Sequence, residues 1–312
     1  VTETIRAVVL SGTGGVYTIR ASDGTTHEAS LRGRLKKENG GLKLAVGDDV
    51  TAEMDERGAV WAVTEIHPRR SALARRAPGG ARGERVVAAN VDQVMVVFAA
   101  AKPEPHVRML DRFLVIAEGN DIPARIVFNK VDLVGGASGV DEIASTYEKA
   151  GYAVHRTSVK GNEGLAELHD ALASRTSALT GPSGVGKSSL LNALFPGLDL
   201  RVGEISESVN KGRHTTVGAK LIPIPDVLGG FVVDTPGLRE VGMWGLHADS
   251  LEQCFPEFRP FLGECKFGDC THEHEPHCAV REGVKSGAIS SARYESFLKL
   301  RGELRAAPEE WQ

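Results

Sequence analysis

Residues 176–188 read TSALT-GPSGVGKS, a short apolar strand that runs into a loop of the form G-x-x-x-x-G-K-S/T and, from Lys187, into a helical pattern. No other stretch restricts the fold as strongly. Such a loop functions only when a buried strand and a helix hold its two ends, so that backbone N–H groups curl round a β-phosphate at the positive end of the helix. Gly181, Pro182, Ser183, Gly184, Val185 and Gly186 would form the cradle, and Lys187 would reach the β- and γ-phosphates. Ser188 would offer its hydroxyl to Mg²⁺, with Ser189 beside it at the phosphates.

The surroundings supply the sheet that the loop requires. Apolar segments at 91–100, 124–128, 152–156 and 176–180 alternate with helical patterns at 107–119, 141–150 and 164–173. This alternation predicts a largely parallel α/β sheet with helices on both faces and its site at the carboxyl ends of the strands. One such end carries Asn129-Lys130-Val131-Asp132. A carboxylate at the fourth position accepts both N1–H and N2–H of guanine, a pattern adenine cannot present, and a wrong base leaves that carboxylate unpaired. Asn129 and Lys130 would hold the loop and stack along the base, and Thr157-Ser158 would bring a backbone N–H to guanine O6.

Further on, an apolar segment at 230–233 ends in Asp234-Thr235-Pro236-Gly237. Asp234 would hold Mg²⁺ through water, and the Gly237 N–H would sense the γ-phosphate. Lys211-Gly212-Arg213-His214-Thr215-Thr216 offers a hydroxyl to the same ion, with Thr216 favoured over Thr215. The order is unusual: guanine-reading loops precede the phosphate loop. The domain therefore reads as circularly permuted, which a compact α/β unit tolerates because its ends lie near each other.

Upstream, residues 1–66 read as five short strands separated by Gly and Asp turns, a small barrel of the OB type or, failing that, an SH3-like spacer. Arg32 and Arg34 lie on one rim. The chain has a net charge of −4, which argues against a protein that coats nucleic acid, yet residues 67–85 hold six arginines against one glutamate. Arg69, Arg70, Arg75, Arg76 and Arg82 in this Pro- and Gly-containing linker suit phosphate oxygens. No apolar run is long enough to cross a bilayer, and no secretory pattern opens the sequence, so the expectation is a cytoplasmic protein with no membrane partner.

At the other end, Cys265-x₄-Cys270-x-His272-x₅-Cys278 provides three thiolates and an imidazole suited to a closed, structural Zn²⁺ site, with His274 or His277 as alternative fourth ligands. Cys254 reads as an ordinary buried thiol. The helical pattern at 287–304 predicts Ile289, Phe297, Leu300 and Leu304 inward and Arg293, Lys299 and Arg301 outward.

Taken together, the barrel, the PRRSALARRAPGG segment, NKVD ahead of GPSGVGKSS, GRHTT, DTPGLRE and the cysteine cluster resemble the family of small-subunit-dependent GTPases called RsgA or YjeQ. The resemblance covers nearly the whole chain. It implies an OB barrel at 1–66, an Arg-rich linker at 67–85, a permuted GTPase domain at 86–243 and a mostly helical zinc domain at 244–312. It also implies GTP hydrolysis to GDP stimulated by the 30S ribosomal subunit, a role in late 30S maturation with binding to 16S rRNA, and a monomeric chain. Its pattern selects Cys265, Cys270, His272 and Cys278 as zinc ligands. Where Ras-type enzymes carry a water-orienting Gln, this chain has Leu238, so slow intrinsic hydrolysis is expected, with His214 as the candidate to position water. Gly184 stands where potassium-dependent GTPases carry Asn, so no potassium site is expected.

Overall fold

Alternation of small inward residues with polar outward ones builds the first module of the computed structural model, which describes residues 3–33, 35, 44–55, 60–76, 84–200, 219–225, 230–234 and 246–306. Strands β1 (Thr4–Thr13), β2 (Val16–Ala21), β3 (Thr26–Leu31), β4 (Asp49–Met54) and β5 (Trp61–Ile66) close a barrel in the order β1-β2-β3-β5-β4. β3 and β5 run parallel, and the other neighbours run antiparallel, the OB-type arrangement anticipated from the turns. Ala7, Val9, Ile19, Ala29, Val50, Ala52, Trp61 and Val63 fill it. The Gly14-Gly15 pair takes positive φ at both positions, as a two-residue hairpin turn between right-twisted strands demands.

The Arg-rich stretch is more ordered than a linker. β6 (Ala72–Arg76) and β7 (Glu84–Ala89) form an antiparallel ribbon in which Arg75 lies opposite Arg85 and Arg76 opposite Glu84. Barrel and ribbon meet at a tight joint. Gly47 has φ +86°, and a Cβ there would lie 2.2 Å from the Ala89 carbonyl oxygen. Next to it the fully buried Asp48 accepts 2.6 and 2.9 Å hydrogen bonds from Arg69. Arg69 is therefore a structural cation of this joint, in contrast to its reading as an RNA contact. Arg70 pairs with Asp92 at 2.7 Å and remains exposed.

The second sheet runs β10-β9-β8-β11-β13-β12, with β8 (Gln93–Ala99), β9 (Ala124–Asn129), β10 (Ala153–Arg156), β11 (Thr176–Thr180) and β13 (Phe231–Asp234) parallel. β12 (Lys220–Pro223) is the antiparallel edge. β8 is buried on both faces: Val94, Val96 and Phe98 join a core with helices α1 (Val107–Glu118) and α2 (Asp141–Lys149). Met95, Val97 and Ala99 join the opposite core with α3 (Leu165–Leu172) and α4 (Lys187–Leu194). Residues 173–175 alone connect α3 to β11, so the link that joins the halves of the permuted domain is a short turn.

The C-terminal module packs short helical turns at Leu251–Cys254 and Pro256–Phe261 against α5 (Ala279–Lys285) and α6 (Ser291–Ala306). Its core of Leu251, Phe255, Phe258, Val280, Phe297 and Leu300 also takes in Val115 of α1, which docks the module on the GTPase domain. Ile289 and Leu304 face inward as expected, whereas Arg293 and Arg301 do not face outward. Arg293 is 1% exposed and donates to Asp111 at 2.6 Å and to Glu257 at 2.7 and 3.3 Å. Arg301 is buried over Phe297 and donates to the Thr271 carbonyl. Carboxylates and carbonyls brought in by distant segments override the surface preference of the two arginines. Lys299 is exposed. No helix among the described residues is long and apolar enough to span a membrane.

Candidate nucleotide site and metal centre

β11, buried at every position, delivers the phosphate loop at the carboxyl end of the sheet. Gly181 has φ +135°, and a Cβ on it would stand 1.9 Å from the Val97 carbonyl oxygen, so only glycine lets the loop leave beside β8. Lys187 opens α4, is 5% exposed, and donates across the loop to the carbonyls of Gly181 at 3.0 Å and Pro182 at 2.8 Å. Ser188 follows on the first turn, also buried. The loop curls round the position a β-phosphate would take, with the helix N-terminus behind it.

The guanine-reading residues converge on the same loop. Asn129, at the end of β9, donates to the Val185 carbonyl at 2.9 Å and accepts from Thr157 Oγ1 at 3.3 Å. Lys130, in a left-handed conformation, donates to the Gly184 carbonyl at 2.6 Å and to the Lys102 carbonyl at 2.8 Å. Ser158 Oγ donates to Asp132 Oδ1 and accepts from the Gly161 N–H at 2.8 Å. A paired bridge between Ser158 and Glu163, with 3.0 Å bonds in both directions, fixes that turn. The carboxylate that would read guanine is thus oriented by the loop expected to meet guanine O6.

Asp234 ends β13, one residue past Val233, whose partner on β11 is Ala178; a carboxylate therefore stands at the mouth of the phosphate loop. His214, Thr215, Thr216, Gly237, Arg34 and Arg82 lie outside the described residues, as do the side chains of Arg75 and Arg76. Arg32 is exposed and pairs with Glu53. Two contributors carry no sequence signal: the Lys102 carbonyl and Glu163 act through backbone positions that only the tertiary fold brings near.

At the opposite side, Cys265, Cys270, His272 and Cys278 present ligand atoms all within 4.8 Å of one another. The separations Cys265 Sγ–Cys278 Sγ 3.9 Å, Cys265 Sγ–His272 Nδ1 3.6 Å and His272 Nδ1–Cys278 Sγ 3.3 Å bracket a tetrahedral zinc edge of about 3.5–3.8 Å. His272 Nε2 lies 3.0 Å from Glu252, which would take its proton in a hydrogen bond and leave Nδ1 free to ligate. The Ala279 N–H at the start of α5 donates to Cys265 Sγ at 3.3 Å, as suits a thiolate. The donor set and spacing fit one structural Zn²⁺. His274 and His277 are exposed and outside the set. Cys254 is buried apart from it, and burial pushes its thiol up to about 12.

A phosphate loop, guanine-reading loops and a carboxylate on a sheet whose strands enter in permuted order define a circularly permuted P-loop GTPase. The family model for RsgA GTPase matches residues 66–244. A small ribosomal subunit biogenesis GTPase RsgA of Gemmatimonas aurantiaca is 60% identical over 309 residues, covering 97% of this chain and 98% of that one. Its counterpart in Bacteroides fragilis is 35% identical, covering 97% and 100%. Among solved structures, YjeQ from Thermotoga maritima superimposes with a TM-score of 0.80 at 34% identity, covering 98% and 100%. The circularly permuted GTPase YloQ gives 0.76 at 28% identity, covering 98% and 97%. The chain belongs to the RsgA GTPase family.

Proposed function

We propose that this chain hydrolyses GTP to GDP and phosphate while acting in late maturation of the small ribosomal subunit, binding 16S rRNA as a cytoplasmic monomer. The convergence of Asn129, Lys130 and Asp132 on the phosphate loop carries the guanine-nucleotide reading. The names of full-length relatives support the ribosomal one. Residues 181–189 hold the phosphates, Asp132 and Ser158 select guanine, and Gly237 senses the γ-phosphate. Ser188, Thr216 and Asp234 serve Mg²⁺, whose charge would be set against that developing on the transferred phosphoryl group. With Leu238 in the water-orienting position, turnover is slow until the 30S subunit is bound, and His214 then positions the attacking water. Hydrolysis releases the subunit.

GTP turnover measured alone and with purified 30S, 50S or tRNA tests this reading: only 30S should raise it, and equal stimulation by 50S or tRNA would remove the ribosomal assignment. His214→Ala with full 30S-stimulated turnover would remove the catalytic role of His214.

A further inference from the structure

Where the barrel leans on the edge of the GTPase sheet, a cleft of about 560 Å³ opens between Arg6, Arg20, His67 and the single carboxylate Asp49 on one side and Pro223, Gly230 and Phe231 on the other. It continues into a second hollow that shares Val8, Asp49 and Phe231 with it. The register makes the basic wall a pair. Val8 is directly opposite Arg20, and Arg6 is two residues along β1 on the same outward face, so the two arginines are diagonal neighbours. Diagonal neighbours of this kind lie about 7–8 Å apart, their Cβ atoms somewhat closer, a spacing at which two long guanidinium side chains can close on one phosphate. Among the described residues neither arginine has a carboxylate partner, unlike Arg32, Arg69 and Arg70 nearby. The facing wall is uncharged and partly aromatic, suited to the flat face of a base.

From this juxtaposition we infer that the cleft binds one unpaired nucleotide of single-stranded RNA, its phosphate between Arg6 and Arg20 and its base against Phe231 and Pro223. The inference rests on the proposed RNA partner and assigns a site to it outside the nucleotide loops, the arginine ribbon and the zinc module. Size agrees, since pockets of roughly 300–1,000 Å³ accommodate ligands of this scale. The wall strand is β13, whose far end is Asp234, so RNA in the cleft would rest on a strand that also serves the nucleotide site.

The test uses the full chain, a fluorescein-labelled twelve-residue oligouridylate, and two variants: Arg6→Ala with Arg20→Ala, and a control of equal charge loss, Arg108→Ala with Lys149→Ala. The cleft variant should bind about tenfold more weakly at 0.1 M salt. The slope of log Kd against log salt should fall by about 0.7, the value for one lost single-strand phosphate contact. Arg6→Lys with Arg20→Lys, which keeps the charge, should keep most of the slope. A 4-thiouridine version should crosslink to the wall formed by Pro223, Gly230 and Phe231. No binding by the wild-type chain, equal loss in the control, or crosslinks confined elsewhere would overturn the inference. Failure of 30S to stimulate turnover, with oligouridylate binding still dependent on Arg6 and Arg20, would instead leave the cleft standing and remove the ribosomal reading.

Discussion

Replacing Arg293 by Met keeps most of the volume of a fully buried side chain and removes its charge. Asp111 and Glu257 then lose the buried cation that had bonded to both, at 2.6 Å to the first and at 2.7 and 3.3 Å to the second. Breaking a buried pair in this way costs about 3–5 kcal/mol, or roughly two to three and a half powers of ten in the unfolding constant. The guanidinium also lies 4.6 Å from the Phe255 ring centre, a contact the Met thioether only partly replaces. The two carboxylates do not suffer equally: Asp111 keeps a 2.9 Å bond from Tyr147 Oη, whereas the Glu257 carboxylate loses its only side-chain hydrogen bonds among the described residues. Adding Glu257→Gln should therefore recover more stability than adding Asp111→Asn. Urea unfolding followed by circular dichroism, together with zinc release to a chromogenic chelator, measures the effect, because Arg293 joins the zinc module to α1. The zinc-release midpoint should move further than the dichroism midpoint. A loss below about 1 kcal/mol, or no recovery in either double variant, would refute the reasoning that the network holds the module in place.

Three other outcomes follow from the geometry. Gly181→Ala forces a Cβ to within 1.9 Å of the Val97 carbonyl at φ +135°, and should cost about 2–5 kcal/mol with loss of labelled-GDP binding; thermal unfolding and fluorescence titration check it. Asp132→Asn removes the acceptor for two guanine N–H groups and should weaken GTP by about two powers of ten, while xanthosine triphosphate, which presents a carbonyl there, should gain; competition binding reads both. His155 is buried on β10, and burial holds its imidazole below the usual histidine range despite the nearby Glu167. The unfolded chain then binds a proton that the folded chain refuses, so stability should rise with pH towards about 6.5 and level off above it. Urea midpoints across pH 5–8 should show that slope diminished in His155→Gln.

How much of this was legible in the sequence follows from what each feature depends on. The phosphate loop, the guanine-reading residues and the cysteine cluster were legible because their chemistry fixes residue types at short spacings. Barrel closure, with β3 paired to β5, depends on contacts between distant segments. Arg293 shows a different limit. Arg293 reads as outward for its charge, although positions 293, 297, 300 and 304 are spaced as one face of a helix. The charge misled because its partner Asp111 is 182 residues away on another domain. The arginine ribbon was hidden likewise, since the Pro and Gly in its sequence read as a linker and strand register cannot be read from composition.

The position of β11 between β8 and β13 bears on how the chain is made. Synthesis delivers β8, β9 and β10 first, and the central strand follows only after the ribosome has added the residues between Ala99 and Thr176, a wait of roughly 4–15 s at ordinary elongation rates. During that interval β8, apolar at nearly every position and destined to be buried on both faces, has one edge without its partner. An unpaired apolar edge is a template for aggregation. A nascent chain halted before Thr176 should therefore need a chaperone to stay soluble, and the need should end only past Asp234, when β13 covers the edge that β11, itself buried at every position, leaves open in its turn.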